Sequence, residues 1–182
     1  LIGESTPKLR DKVVSFGELL SAFIISEFYQ SRGVQATFRD SRELIQTDDS
    51  FGNAKVVQDK TSAQIQSELS GVSHVVVLPG FIASNQQGDT TTLGRGGSDY
   101  SAALFAGALR AAQLEIWTDV SGMFTANPKL VKGARPIPTL SYEEAMELSH
   151  FGAKVLYPPT IRPALPEGIP SLTRTTLEPW TE

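Results

Sequence analysis

The chain has 182 residues, 40% of them hydrophobic and 20% charged, with a net charge of −4, which suffices for one domain with a sizeable core or for most of a larger one. An acidic pI near 5.3 and scattered rather than striped Lys and Arg argue against a nucleic-acid binder. The absence of cysteine removes disulfide and thiolate chemistry and fits a reducing cytoplasm, while the longest apolar run, Val75 to Leu78, is far too short to span a bilayer.

Residues 1–12, polar and broken by Pro7, read as a loop without a signal-peptide pattern. From Phe16, the positions Leu19, Leu20, Phe23, Ile24 and Phe28 recur at helical spacing, with Gly33 as the stop. Val34 to Phe38 alternates like a strand, and residues 41–58 are mixed around the turn cluster "DDSFGN". A helix is expected over Thr61 to Leu69, and "HVVVLPGF" has the continuous apolar character of a buried strand. A polar loop over Ser84–Asp89 leads into "TTTLGRGGSDYSAALFAGALRAAQ", a glycine turn opening a helix to about Ala112, and then into the strand "LEIWTDV".

Beyond this strand, "MFTANPKLVKGARPIP" is loop-like. "SYEEAMELSHFGA" reads as a helix with a Ser141–Glu144 capping box and Gly152 as the stop. A proline-rich stretch permits a short helix starting at Pro158-Pro159, and a last apolar stretch begins near Ile169. Helices alternating with strands predict an α/β fold with a largely parallel sheet, and the chain reads as a single domain, 1–182.

The turn Leu93–Asp99 carries the most chemistry. Gly94, Gly96 and Gly97 let the backbone pass close to a ligand. The helix that follows offers unpaired N–H groups and a positive dipole end to an anion. Arg95 adds a planar fork matched to a carboxylate or phosphate, Ser98 is placed to cap the helix, and Asp99 suits the first turn. A glycine turn with a serine cap and an acidic first-turn residue accounts for the same residues without any ligand. A carboxylate beside an anion site, however, is awkward unless it holds a cation. Neither the P-loop ending nor the G-x-G-x-x-G spacing is present.

"TTTLGRGGSDYSAAL" closely resembles the substrate-binding segment of aspartate kinases, within the amino-acid kinase family. "SFGELLSA", "GFIASNQQGDTTTLGRGGSD", "IWTDVSGMFTANPK" and "FGAKVLYPPTI" resemble further aspartate kinase motifs in the family's order, together covering residues from about 13 to 172. The resemblance implies a three-layer αβα sandwich. It also implies ATP- and Mg²⁺-dependent phosphorylation of the side-chain carboxylate of L-aspartate, the first step towards lysine, threonine and methionine. Mg²⁺ would be held mainly through the ATP phosphates, in a cytoplasmic protein that is a homo-oligomer at full length, with no nucleic-acid or membrane partner.

By the same resemblance Arg95 grips a carboxylate of aspartate, Glu18 meets its ammonium, and Ser98 contributes its hydroxyl or N–H. Asp99 organises cations around the phosphates, and Lys154 neutralises phosphate charge. Thr118, Asp119, Phe124 and Lys129 fall at nucleotide positions. Phe124 and Lys129 replace the tyrosine and arginine common there, losing a hydroxyl and a guanidinium fork. Without the resemblance, Glu18 reads as a favourable first-turn acid and Thr118-Asp119 as a strand-terminating pair. His74 and His150 have no ligand spacing and receive no role.

Aspartate kinases open with a strand and a Lys-Phe-Gly-Gly-Thr-Ser phosphate loop, and no K-x-G-G occurs in this chain. The chain is therefore expected to be the C-terminal portion of an aspartate kinase catalytic domain, incomplete at its N-terminus, inactive alone and without ACT or dehydrogenase domains. Two alternatives remain at this point: a kinase for another small acid such as glutamate, and a truncated or degenerate nucleotide-binding or subunit-interaction module without activity.

Overall fold

A computed structural model describes residues 6–119, 122–126, 130–150 and 162–176. Lys129, Lys154, the Gly152 stop and the helix expected at Pro158-Pro159 lie outside the described residues.

The first helix, α1, spans Pro7–Ser31, so residues Pro7 to Lys12, expected to be loop, are helical. Thr6 is its N-cap, with Oγ1 accepting from the Leu9 N–H at 3.2 Å. Pro7, which suggested a break, sits in the first turn, where a missing N–H costs nothing. The helical period is as expected, but the apolar stripe faces outward. Phe16, Leu20, Phe23, Ile24 and Phe28 are each at least half exposed, whereas Asp11, Ser15, Ala22 and Ser26 are buried. α1 lies with this small, polar stripe against β1 (Ala36–Phe38), β3 (Val75–Val77) and β5 (Thr90–Thr92).

β1 and β3 pair in parallel, Thr37 opposite Val76. A hydrogen bond of 2.9 Å between the Thr37 hydroxyl and His74 Nε2 ties the same two segments. The run "HVVVLPGF" was expected to be a fully buried strand, yet Val75 is exposed and Val76 and Val77 are half-buried. β2 (Gln46–Thr47) pairs in parallel with β4 (Ile82–Asn85), which pairs antiparallel with β5. The expected loop at Ser84–Asp89 is thus partly strand, and its polar residues build a tight turn. Asn85 is buried; its Oδ1 accepts from the N–H groups of Gln87 (3.1 Å) and Asp89 (2.8 Å), and its Nδ2 donates to Asp49 (2.7 Å). β6 (Leu114–Thr118) runs parallel to β7 (Ser171–Thr175). The observed sheets are therefore mostly parallel, as expected. Among the described strands, β3 and β6 are each hydrogen-bonded along one edge.

Helices α2 (Gln58–Leu69) and α3 (Gly97–Leu109) pack together over a core of Leu44, Ile45, Ile65, Ala83, Leu93 and Leu104. The other side of α3 buries Ala103 and Ala106 against Leu114, Ala164 and Ile169. Burial on two sides explains why α3 is built from small residues. At Gly107 an added Cβ would stand 2.5 Å from the Pro163 carbonyl oxygen, so glycine is what admits the turn beginning there. α4 (Tyr142–His150) carries the expected capping box: the Ser141 N–H donates to Glu144 Oε2 (2.7 Å), and the Glu144 N–H donates to Ser141 Oγ (3.1 Å). No helix among the described residues is long and apolar enough to cross a membrane.

Candidate active site

The turn between β5 and α3 has two left-handed glycines, Gly94 at φ 71° and Gly96 at φ 70°, with Arg95 between them. This conformation strains any residue with a Cβ, so the two glycines fix the guanidinium's point of departure. Gly96 occupies the N-cap position without a side-chain cap. Ser98 is therefore not the cap expected from sequence. It is the second residue of the helix and exposed, and its N–H, like that of Asp99, has no intrahelical acceptor. Asp99 is half-buried, and that burial pushes its carboxyl above the ordinary range. A carboxylate desolvated at a helix start gains from any cation brought near it.

A second turn, after β3, is pressed against these residues. Phe81 has φ 70°, a backbone conformation that costs a bulky residue about 1–3 kcal/mol unless its surroundings enforce it. Its N–H donates to Ser101 Oγ at 2.9 Å, and its carbonyl accepts from the Leu93 N–H at 2.9 Å. A Cβ added at Gly97 would meet the Phe81 ring at 2.7 Å, and one added at Gly80 would meet Ser98 Cα at 3.0 Å. The two turns interlock without room for another methyl group. Neither Phe81 nor Ser101 was singled out from the sequence. Pro79-Gly80 signals a turn, but the left-handed residue is the phenylalanine beside the glycine, which no propensity indicates.

Glu18 is half-buried and lies on the inward stripe of α1, seven residues after Asp11 and four before Ala22. Asp11, in the stretch expected to be loop, is buried. Its carboxylate accepts from the Gly52 N–H (2.8 Å), the Thr92 N–H (2.9 Å) and the Thr92 hydroxyl (3.0 Å). It thereby sets α1, and Glu18 with it, against the strand that runs into Arg95. Pro7 after Thr6 was the available signal for this helix start.

Thr118 and Asp119 stand at the carboxyl end of β6, which packs on α3. The Thr118 hydroxyl donates to Asp119 Oδ1 (3.1 Å), and the Thr118 carbonyl accepts from the Thr176 N–H (2.8 Å). Phe124 is half-buried and bridges to Pro136. A cavity of about 840 Å³ opens between α2 and α3, edged by Lys55, Arg95, Tyr100 and Arg162. Burial pushes the Tyr100 phenol up, with Gln58 and Arg162 pulling the other way. Among the described residues, no group of three or more His, Asp or Glu side chains gathers that could hold a metal ion.

Residues 3–172 match the sequence pattern of the amino acid kinase family. The chain belongs to the amino acid kinase family. Its curated relatives in the family include lysine-sensitive aspartokinase 3 of Escherichia coli (strain K12), 41% identical over 179 residues, covering 96% of this chain and 39% of that protein. The aspartokinase of Chlamydia pneumoniae is 43% identical over 169 residues, covering 92% of this chain and 38% of the relative. The fold superposes on E. coli aspartokinase III in complex with aspartate and ADP (R-state) with a TM-score of 0.92 and 40% identity, covering 98% of this chain and 40% of that one. The chain thus spans about two fifths of the length of these relatives.

Proposed function

We propose that the polypeptide carrying this chain is an aspartate kinase, which transfers the γ-phosphoryl group of ATP to the side-chain carboxylate of L-aspartate to give 4-phospho-L-aspartate. The observation that carries the reading is the likeness, at 40% identity and a TM-score of 0.92, to an aspartokinase solved with aspartate and ADP. The paired glycines holding Arg95 at the mouth of α3 agree with it.

In this reading Arg95 binds an aspartate carboxylate through its two-pronged guanidinium. The substrate ammonium meets Glu18, and Ser98 adds its N–H or hydroxyl at the helix start. A carboxylate oxygen of the substrate attacks the γ-phosphorus as the bond from phosphorus to the β–γ bridging oxygen breaks, and ADP leaves with the released charge. The nucleophile is already ionised, so no general base is needed, and catalysis consists of alignment and charge neutralisation.

Thr118, Asp119, Phe124 and Lys129 are assigned to the nucleotide, and Lys154 to the phosphates. Bound with ATP, Mg²⁺ supplies charge neutralisation at the transferred group. A magnesium ion that would draw most of its ligands from phosphate and water suits a site in which Asp99, a half-buried carboxylate, would organise the cation. We assign the protein to the cytoplasm as a homo-oligomer.

The test is a hydroxamate assay on the full-length protein with ATP, Mg²⁺ and either aspartate or glutamate. Aspartyl hydroxamate is the expected product, and its absence with folded full-length protein overturns the reading.

A further inference from the structure

We propose that Ser101 is a positioning residue for the aspartate site, acting through the strained turn at Phe81. This inference rests on the aspartate kinase reading for its substrate and on the geometry alone for its mechanism.

Ser101 is 1% exposed and sits one helical turn after Gly97. Its hydroxyl makes two bonds at once: it donates to the Gly97 carbonyl at 2.8 Å and accepts from the Phe81 N–H at 2.9 Å. Alanine would fill the same space, so packing alone does not call for the hydroxyl. The position needs a group that gives a proton to the helix and takes one from the turn.

The turn it holds is not at rest. Phe81 at φ 70° is in the left-handed region without the freedom of glycine. Its ring stands where a Gly97 side chain would be, and the adjoining Gly80 abuts Ser98. Ser98 is the residue that meets the substrate in the aspartate kinase reading, and Gly97, whose N–H donates to the Gly94 carbonyl at 3.0 Å, fixes the backbone leading into it. When the Phe81 N–H loses its acceptor, the turn relaxes towards negative φ, and the surface against which Ser98 is placed moves with it. Ser101 itself contacts neither substrate nor nucleotide; it sets where the groups that do so stand.

The experiment is a double-mutant cycle in the full-length protein with Ser101→Ala, Phe81→Gly and the double variant. Ser101→Ala is expected to raise the KM for aspartate about tenfold, the equivalent of one lost hydrogen bond. The KM for ATP should stay within about twofold of wild type. Glycine adopts φ 70° without strain, so in the Phe81→Gly background Ser101→Ala should change the aspartate KM by less than about twofold. Equal losses in both backgrounds, or matching rises in the two KM values, would assign Ser101 to general packing and overturn the proposal.

Amide hydrogen exchange separates this outcome from failure of the functional reading. In Ser101→Ala the Phe81 amide should exchange at least about tenfold faster, while the amides of Ser84 and Asn85, bonded to the Ile45 and Asp89 carbonyls, keep their protection. Unchanged exchange at Phe81 overturns the positioning claim whatever the substrate proves to be. A wild-type protein that makes no aspartyl phosphate sinks only the functional reading.

Discussion

The carboxylate of Asp11 accepts from both the backbone N–H and the hydroxyl of Thr92, at 2.9 and 3.0 Å, across 81 positions of sequence. A third bond, from the Gly52 N–H at 2.8 Å, brings the loop after β2 to the same oxygen as the Thr92 N–H. One buried carboxylate thus joins the helix that carries Glu18, the strand that leads to Arg95 and the loop that borders the cavity. Asp11→Ala leaves these donors without their acceptor and is expected to cost about 2–4 kcal/mol of stability. Urea denaturation measures it, and a loss under about 0.5 kcal/mol would contradict the role.

Arg95 is expected to serve the acceptor substrate more than the nucleotide. Arg95→Ala should raise the KM for aspartate by about a hundredfold, as for a lost bidentate charge pair, with a much smaller change for ATP. Arg95→Lys should recover little, because a point charge cannot reproduce the fork. Steady-state kinetics with each substrate varied in turn would decide; equal losses for both substrates would count against the assignment.

Asp99 offers a test in which activity and stability move oppositely. Its folded-state pKa lies above the ordinary value of 3.8 because of burial, so the folded state holds the proton more tightly than the unfolded chain. The contribution of Asp99 to stability therefore falls as pH rises from below that value through the folded-state pKa, and is constant above it. Asparagine does not ionise. The melting temperature of Asp99→Asn relative to wild type should rise between pH 3 and neutrality, while kcat falls about a hundredfold or more. A difference that stays flat or shrinks over this range would refute the burial argument.

Gly97→Ala tests how tightly the two turns interlock. Its Cβ would stand 2.7 Å from the Phe81 ring and 3.1 Å from the Leu93 Cβ. The expected cost is about 1–3 kcal/mol from overpacking, with aspartate binding weakened alongside. Gly133→Ala, where an added Cβ meets nothing, serves as the control. Thermal melting of the two variants should separate them clearly.

The fold class, the α3 turn and the α4 capping box could all be read from the sequence, because each depends on near neighbours in the chain. "GRGGSD" announces its turn through its glycines, and Ser141 and Glu144 satisfy one another three residues apart. What stayed hidden depends on distant partners. The left-handed conformation of Phe81 exists because Ser101 and Leu93 hold it, and Asp11 looked like a loop residue until Thr92 gave it a reason to be buried. Ser98 was misread as a cap because glycine at the preceding positions extends the helix past it. On α1, the apolar period identified a helix correctly but said nothing about which side would face the strands.

That helix has a practical consequence. Twenty-five residues of α1 make a rod about 37 Å long, with Phe16, Leu20, Ile24 and Phe28 outermost. This greasy ridge, about 18 Å from Phe16 to Phe28, is expected to weigh on colloidal behaviour more than a net charge of −4, since apolar contact between particles grows with area whereas a small net charge is screened by ordinary salt. Handled alone, the chain is expected to bind hydrophobic dyes along this side. Polar residues at Leu20 and Ile24 are the simplest way to keep it dispersed, because they lie off the stripe that holds Asp11 and Glu18 against the strands.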